Sequence, residues 1–328
     1  MIKIAVDAMG GDFAPEEIVK GACQAISEFP EVEIILVGQE DMIDRILSKG
    51  PPPRISTINA SQVITMDEAP VSAVREKKDA SINVALQLVA EGKVQAVVSA
   101  GNTGAFMTAA LFKLGRIPGV ERPAIATIFP ARSRSVLCLD VGANSENRPK
   151  HLQQFGEMGS LYAQHVLHIE NPRVGLLNIG EEPEKGNELT TATYLLLKQS
   201  KINFMGMVES GEILSGKVDV VVCDGFVGNL ILKFAESVSS FVVDLIKSEI
   251  TRNPITWLGA ALLLPAFMGI KKKIDADELG GAPILGVDGL CIKAHGRAKA
   301  KAIKNAIRVA AEAASEDIIG CIKAVEAK

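Results

Sequence analysis

The sequence predicts an α/β protein built on a largely parallel sheet with helices on both faces. Three observations lead there. Short apolar runs alternate with helical stretches from Met1 to about Ile250, and several of those runs end in Asp, Gly and Asn immediately before a helix. Hydrophobic residues make up 48% of the 328 residues but aromatics only 4%, so the core must be packed with Ile, Val, Leu and Ala. A single core usually stops growing near ~250–300 residues, so one two-lobed unit spanning residues 1–328 is expected. No internal repeat or low-complexity segment interrupts it.

Taken in order, Ile2 to Val6 reads as a strand, and Pro15 followed by EEIVKGACQAISEF as a helix with Pro and acids in its first turn. EIILVG (33–38) is a strand, 40–48 a helix ending at three prolines, ISTIN (55–59) a strand, and the polar stretch to Asp79 surface loop and helix. Ser81 is placed as the cap of a helix whose Val84, Leu88 and Val89 have helical spacing. Ala96 to Ser99 is a buried strand that runs through Gly101, Asn102, Thr103 and Gly104 into the helix FMTAALFKLG. AIATIF (124–129) and VLCLDV (136–141) are expected to lie side by side across a short turn, with a long helix from Pro149 to about Leu167 after them. VGLLNIG (174–180), INFMGMV (202–208) and VDVVVCDG (218–225) continue the strands, and a helix runs from Asn229 to about Ile250.

The rhythm breaks at WLGAALLLPAFMGI (257–270), followed by Lys271, Lys272 and Lys273. As a helix its 14 residues would cover roughly 21 Å against a hydrocarbon core of ~30 Å, with Pro265 inside, so it does not span a membrane. It reads either as a buried helix at a subunit interface or as the tip of a protruding helical segment (236–275) that dips into the membrane surface through Trp257, Leu258, Leu262, Leu263 and Phe267. GGAPILGVDGLCIKAHG (280–296) then has the look of paired strands, and an Ala/Lys-rich helix closes the chain.

Composition removes several functions. A formal charge of −4, one Trp and two Tyr leave neither a basic face nor stacking platforms for nucleic acid. The five cysteines contain no CxxC pair and have no nearby histidines, which excludes the common zinc spacings and a disulfide framework; no metal and no cofactor are expected. Met1 leads straight into a strand with no signal-peptide pattern, so a cytoplasmic location is expected. GxSxG, HExxH, GxxxxGK[ST] and GxGxxG are all absent.

What remains is a set of polar glycine turns: DAMGGD (7–12), SAGNTGA (99–105), DVGANSEN (140–147) and CDGFVGN (223–229). A strand ending in small polar residues before a helix exposes backbone N–H groups and the positive helix end, which suits phosphate or an oxyanion. In open parallel sheets ligands bind beyond the strand C-termini, so the four turns are expected to converge on one hollow. Asp7, Gly10, Gly11, Gly101, Asn102, Thr103, Gly104, Asn144 and Asn187 are the candidate phosphate and acyl contacts, and Asp224, Asn229, His295 and Lys185 the candidate catalytic groups. Each has a plainer reading. Asp7 and Asp140 suit turn formation, Lys185 a solvated surface, Cys223 a packed thiol, and His295 a structural loop.

DAMGGD, SAGNTGA, LDVGAN (139–144), NIGEE (178–182), KGNEL (185–189), CDGFVGN, GGAPILGV (280–287) and KAHG (293–296) together closely resemble, in order and spacing, the PlsX-type phosphate acyltransferases, from Met1 to about Ala311. The resemblance implies a dimeric three-layer α/β/α sandwich similar to phosphotransacetylases and the isopropylmalate dehydrogenase group, attached peripherally to the inner face of the cell membrane. It implies transfer of a long-chain fatty acyl group from acyl carrier protein to inorganic phosphate, giving an acyl phosphate that a membrane glycerol-3-phosphate acyltransferase uses in phospholipid synthesis. Direct attack of phosphate on the thioester is expected. Backbone N–H groups, Asn102, Thr103, Asn144 and Lys185 would hold the phosphate, donors around Asn229 the oxyanion, and Asp224 or His295 would balance the proton. Two rival readings are a phosphotransacetylase-like enzyme using short acyl-CoA and a non-catalytic scaffold at the membrane.

Overall fold

The computed structural model describes residues 1–48, 50–132, 134–252, 256, 259–260, 262–263, 265–269 and 276–326. The first half of the chain lays down β1 (Ile2–Asp7), α1 (Glu16–Glu28), β2 (Val32–Gly38), α2 (Glu40–Leu47), β3 (Ile55–Asn59), α3 (Pro70–Glu76), α4 (Ser81–Ala90), β4 (Ala96–Ser99), α5 (Thr103–Lys113) and β5 (Ala124–Phe129). The second adds β6 (Val136–Leu139), α6 (Pro149–His165), β7 (Arg173–Leu177), α7 (Glu188–Gln199), β8 (Asn203–Val208), β9 (Val220–Val222) and α8 (Gly225–Ile250). The hairpin β10 (Ala282–Leu285) and β11 (Leu290–Lys293) and the helices α9 (Ala300–Ser315) and α10 (Ile318–Glu326) follow.

All these strands join one sheet of order β3-β2-β1-β4-β11-β10-β5-β6-β9-β7-β8. Alternate residues face opposite sides, and each side builds its own core. Ile4, Val6, Ala96 and Val98 pack with α1, α6 and α9, while Ala5, Val97, Val221 and Cys223 pack with α4, α5 and the inner face of α8. The three layers match the expected architecture.

Pairing is parallel among β1, β2, β3, β4 and β11, and again among β6, β7, β8 and β9, but antiparallel at β11–β10, β10–β5 and β5–β6. Three successive reversals leave the two halves running in opposite directions. The C-terminal ends of β1, β4 and β11 therefore lie at one edge of the sheet and those of β6, β7 and β9 at the other. One difference from the sequence reading is local: α8 begins at Gly225, four residues before Asn229, because Asp224 caps it by accepting from the N–H groups of Phe226 (3.1 Å) and Val227 (3.0 Å).

Candidate functional site

By strand direction the reversal divides the polar turns into two groups. The first group gathers the ends of β1, β4 and β11. Ser99 Oγ donates to Asp7 Oδ2 at 2.6 Å, the Gly101 N–H donates to Ser99 Oγ at 3.1 Å, and the Asp12 N–H to the Gly296 carbonyl at 2.8 Å. Backbones come so close that a Cβ on Gly10 would meet Asp7 Oδ2 at 2.5 Å and the Gly101 nitrogen at 2.7 Å; only glycine fits. Among the described residues the N–H groups of Gly10, Gly11, Thr103 and Gly104 have no protein acceptor. Thr103, exposed at the start of α5, adds a hydroxyl with no partner among them.

The second group joins the ends of β6 and β9. Asp140 accepts from the N–H groups of Ile125 (3.0 Å), Gly142 (3.2 Å), Ala143 (2.9 Å) and Asn144 (2.9 Å), which makes it the organiser of its turn. Gly228 sits so tightly against the Asp140 carbonyl that any side chain there is excluded, and Asn229 lies alongside Gly142. From there α8 runs back over the sheet, bringing Lys233 and Glu236 within electrostatic reach of His295 in the first group.

Several side chains expected to hold phosphate are already committed. Asn102 caps α5 by accepting from Ala105 N–H at 3.0 Å, and its amide donates to the carbonyls of Met66 (3.0 Å) and Glu68 (3.2 Å). Asn144 donates to the Pro123 carbonyl (2.8 Å) and to Asp140 Oδ2 (2.9 Å). Asn187 caps α7 through Thr190 N–H at 2.8 Å, and exposed Lys185 pairs with Glu182 at 2.9 Å. Lys185, Asn187, Asn144, Asp224 and Asn229 follow the C-terminal ends of β6, β7 and β9, whereas Asp7, Gly10, Gly11, Gly101, Asn102, Thr103, Gly104 and His295 cluster at those of β1, β4 and β11. Trp257, Leu258 and Lys271 to Lys273 lie outside the described residues; Leu262 and Leu263 are exposed and Phe267 is half-buried.

A family model described as fatty acid synthesis protein matches residues 2–320. A phosphate acyltransferase from Heliobacterium modesticaldum is 53% identical over 325 residues, covering 98% of this chain and 97% of that one. Another, from Moorella thermoacetica, is 52% identical over 319 residues, covering 97% and 94%. The chain belongs to this family of acyltransferases. In fold it is similar to a phosphotransacetylase from Streptococcus pyogenes, with a TM-score of 0.65 at 17% identity over 96% of this chain and 94% of that one. A branched-chain phosphotransacylase from Enterococcus faecalis gives 0.60 at 13% identity over 96% and 99%.

The first group of this acyltransferase also contains a cation that sequence reasoning passed over. Lys293, in the quoted KAHG motif, is buried at the end of β11, its Nζ donating to the Ala294 carbonyl. Burial pulls its pKa down to about 8; Asp7 and Asp12 oppose the drop and Lys233 adds to it. Burial likewise raises the Asp7 carboxyl, against the hydroxyls of Ser81 and Ser99 and the charge of Lys293. His295 is exposed as a residue, but its ring loses water on the protein side and stands below its ordinary pKa. Glu236 opposes that shift, and Lys233, Lys293 and Arg297 reinforce it. The available signal for Lys293 was positional: a lysine at the last place of an otherwise apolar strand must either snorkel or find a buried acid.

Cys223 is not a usable nucleophile. It is buried, donates to the Asp140 carbonyl at 3.3 Å and lies 3.8 Å from Cys138 Sγ, and that neighbour together with burial raises its pKa well above the ordinary thiol value. Beside the first group lies a cavity of roughly 600 Å³, lined by Phe13, Pro15, Met42 and Ile46, by the acids Glu16 and Glu17 and by the exposed cations Arg45 and Lys299.

Proposed function

We propose that the protein transfers a long-chain fatty acyl group from an acyl carrier protein thioester to inorganic phosphate, giving an acyl phosphate for phospholipid synthesis. The observation that carries the reading is the set of open N–H groups at Gly10, Gly11, Thr103 and Gly104 beside the buried ammonium of Lys293. Phosphate dianion needs no base to attack. Held by those amides, its oxygen adds to the thioester carbon, the tetrahedral oxyanion takes hydrogen bonds from the remaining donors, among them the neutral His295 ring, and the pantetheine thiolate leaves and is protonated from water. The cavity lined by Phe13, Met42 and Ile46 suits the acyl-bearing arm, and the exposed Arg45, Arg297 and Lys299 are the cations nearest it for an acidic carrier protein, beside the acids Glu16 and Glu17.

The protein is further proposed to act as a homodimer on the cytoplasmic face of the membrane. The exposed apolar stripe of α8 supports the dimer, and exposed Leu262 and Leu263, among the described residues of 236–275, support a membrane contact that hands product to a membrane glycerol-3-phosphate acyltransferase. Although α8 is long and apolar enough to cross a bilayer, Ile231, Leu232 and Ala235 pack on the core, which favours a covered surface helix.

Incubation with palmitoyl carrier protein and phosphate, with acyl phosphate trapped as the hydroxamate, tests the reading against acetyl-CoA as donor. Faster turnover of the palmitoyl carrier protein is expected; a preference for acetyl-CoA would replace this function with a phosphotransacetylase. In the same assay Cys223→Ser should keep turnover within about threefold, since a packed thiol contributes only local stability. Loss of turnover in a folded Cys223→Ser protein would require a covalent acyl-enzyme.

A further inference from the structure

We propose a second anion site, at the opposite edge of the sheet from the first group, that takes a hydrogen phosphate or phosphomonoester group. It occupies a cavity of roughly 620 Å³ lined by Arg116, Glu121, Arg122, Asn147, Arg148 and His151, with Glu146 at its wall. Arg116 donates to the Glu121 carbonyl. The guanidinium groups of Arg122 and Arg148 have no ion pair or hydrogen bond among the described residues, yet both stand close enough to His151 to lower its pKa. Burial is the larger cause of that shift, and Glu121 opposes it. His151 is itself committed: Nδ1 accepts the Arg148 N–H at 3.1 Å and Nε2 lies 3.1 Å from Glu121 Oε2. With the imidazole neutral and Glu121 engaged by it, the arginines leave the cavity net positive.

Asn147 supplies the second observation. Both polar atoms of its side chain are out of solvent and neither has a partner. Buried amides are nearly always paired, so this one calls for a ligand that offers an acceptor to its nitrogen and a donor to its oxygen once the side chain turns into the cavity. Hydrogen phosphate has both: P–O acceptors for two guanidinium groups and the amide N–H, and a P–OH donor for the amide carbonyl. Sulfate and phosphodiesters lack that donor, and a phosphomonoester carries it only as its monoanion. The cavity also adjoins the start of α6, a 17-residue helix whose positive end favours the same charge.

The test uses the full chain. Crystals soaked in arsenate, an anomalous scatterer that mimics phosphate, should show a peak between Arg122, Arg148 and Asn147. In equilibrium dialysis with radiolabelled phosphate, Arg122→Gln combined with Arg148→Gln should weaken binding at this site about tenfold or more, as loss of two charge-assisted contacts implies. Asn147→Asp, nearly isosteric, keeps the test open if the double variant does not fold; it sets a like charge against the anion and should abolish this binding. Competition by free phosphate alone would mark inorganic phosphate as the ligand, and stronger competition by methyl phosphate a phosphomonoester. Sulfate competing equally with phosphate, an arsenate peak absent from the cavity, or unchanged phosphate binding in the folded variants would overturn the assignment.

Discussion

Asparagine at the end of a strand is an ambiguous residue, and Asn102, Asn144 and Asn187 all resolve the same way: their amides serve caps and turns. The amide oxygen of Asn accepts from a helix N–H while its NH2 group can donate to an anion or to a carbonyl, so composition alone does not separate the uses. The separation comes from neighbours such as Met66, Glu68 and Pro123, which are distant in sequence from the amides they occupy. Lys293 shows the converse, a residue legible as part of a strand whose burial beside Asp7 gives it a chemical role. If its ammonium steadies the phosphate, kcat/KM for phosphate should fall about tenfold per pH unit above about 8, as the proton is lost. Stability has the opposite sign. Between about 8 and the ordinary lysine value of 10.5 the unfolded chain binds more protons than the folded one, so this residue's contribution to stability rises with pH. Lys293→Arg should remove the alkaline fall in activity, and Lys293→Met should remove the stability trend. A pH–rate profile unaltered by Lys293→Arg would exclude the role.

Among the elements, α8 carries the largest unexplained surface. Phe226, Leu230, Phe234, Phe241 and Leu245 are 60%, 56%, 72%, 65% and 49% exposed, at near-helical spacing along one stripe. Covering large apolar side chains stabilises an interface by ~1.5–3 kcal/mol each, and several together are ample to hold two copies of the chain. Phe234→Glu with Phe241→Glu is therefore expected to yield monomers by analytical ultracentrifugation. A dimer of unchanged mass would place the subunit contact elsewhere. Most element boundaries were readable from sequence because caps and periodicity are local; the start of α8 was not, since either Asp224 or Asn229 could serve as its cap and only the observed N–H bonds to Asp224 decide.

At the scale of the whole molecule, the proposed reaction joins a soluble carrier protein to a lipid product, so the protein needs a route to the bilayer. Leu262 is 80% and Leu263 56% exposed. Leu262→Glu with Leu263→Glu should abolish co-flotation with anionic phospholipid vesicles while turnover in solution stays within about twofold, because one or two inserted side chains support only reversible attachment. Flotation undiminished in that variant would assign the segment to a protein contact instead.

The chain by itself determined its alternation of strands and helices, its aliphatic cores, its polar turns and the family they resemble. All of these are written in short stretches whose periodicity and capping chemistry act within a few residues. Only the tertiary structure decided that the β10–β11 hairpin inserts between β4 and β5, a pairing across more than 150 residues that reverses the sheet and sends the turns to two edges. Strand direction within a sheet depends on such non-local pairing, and so do the partners of every buried amide and the solvation of Lys293. Local pattern carries no record of them.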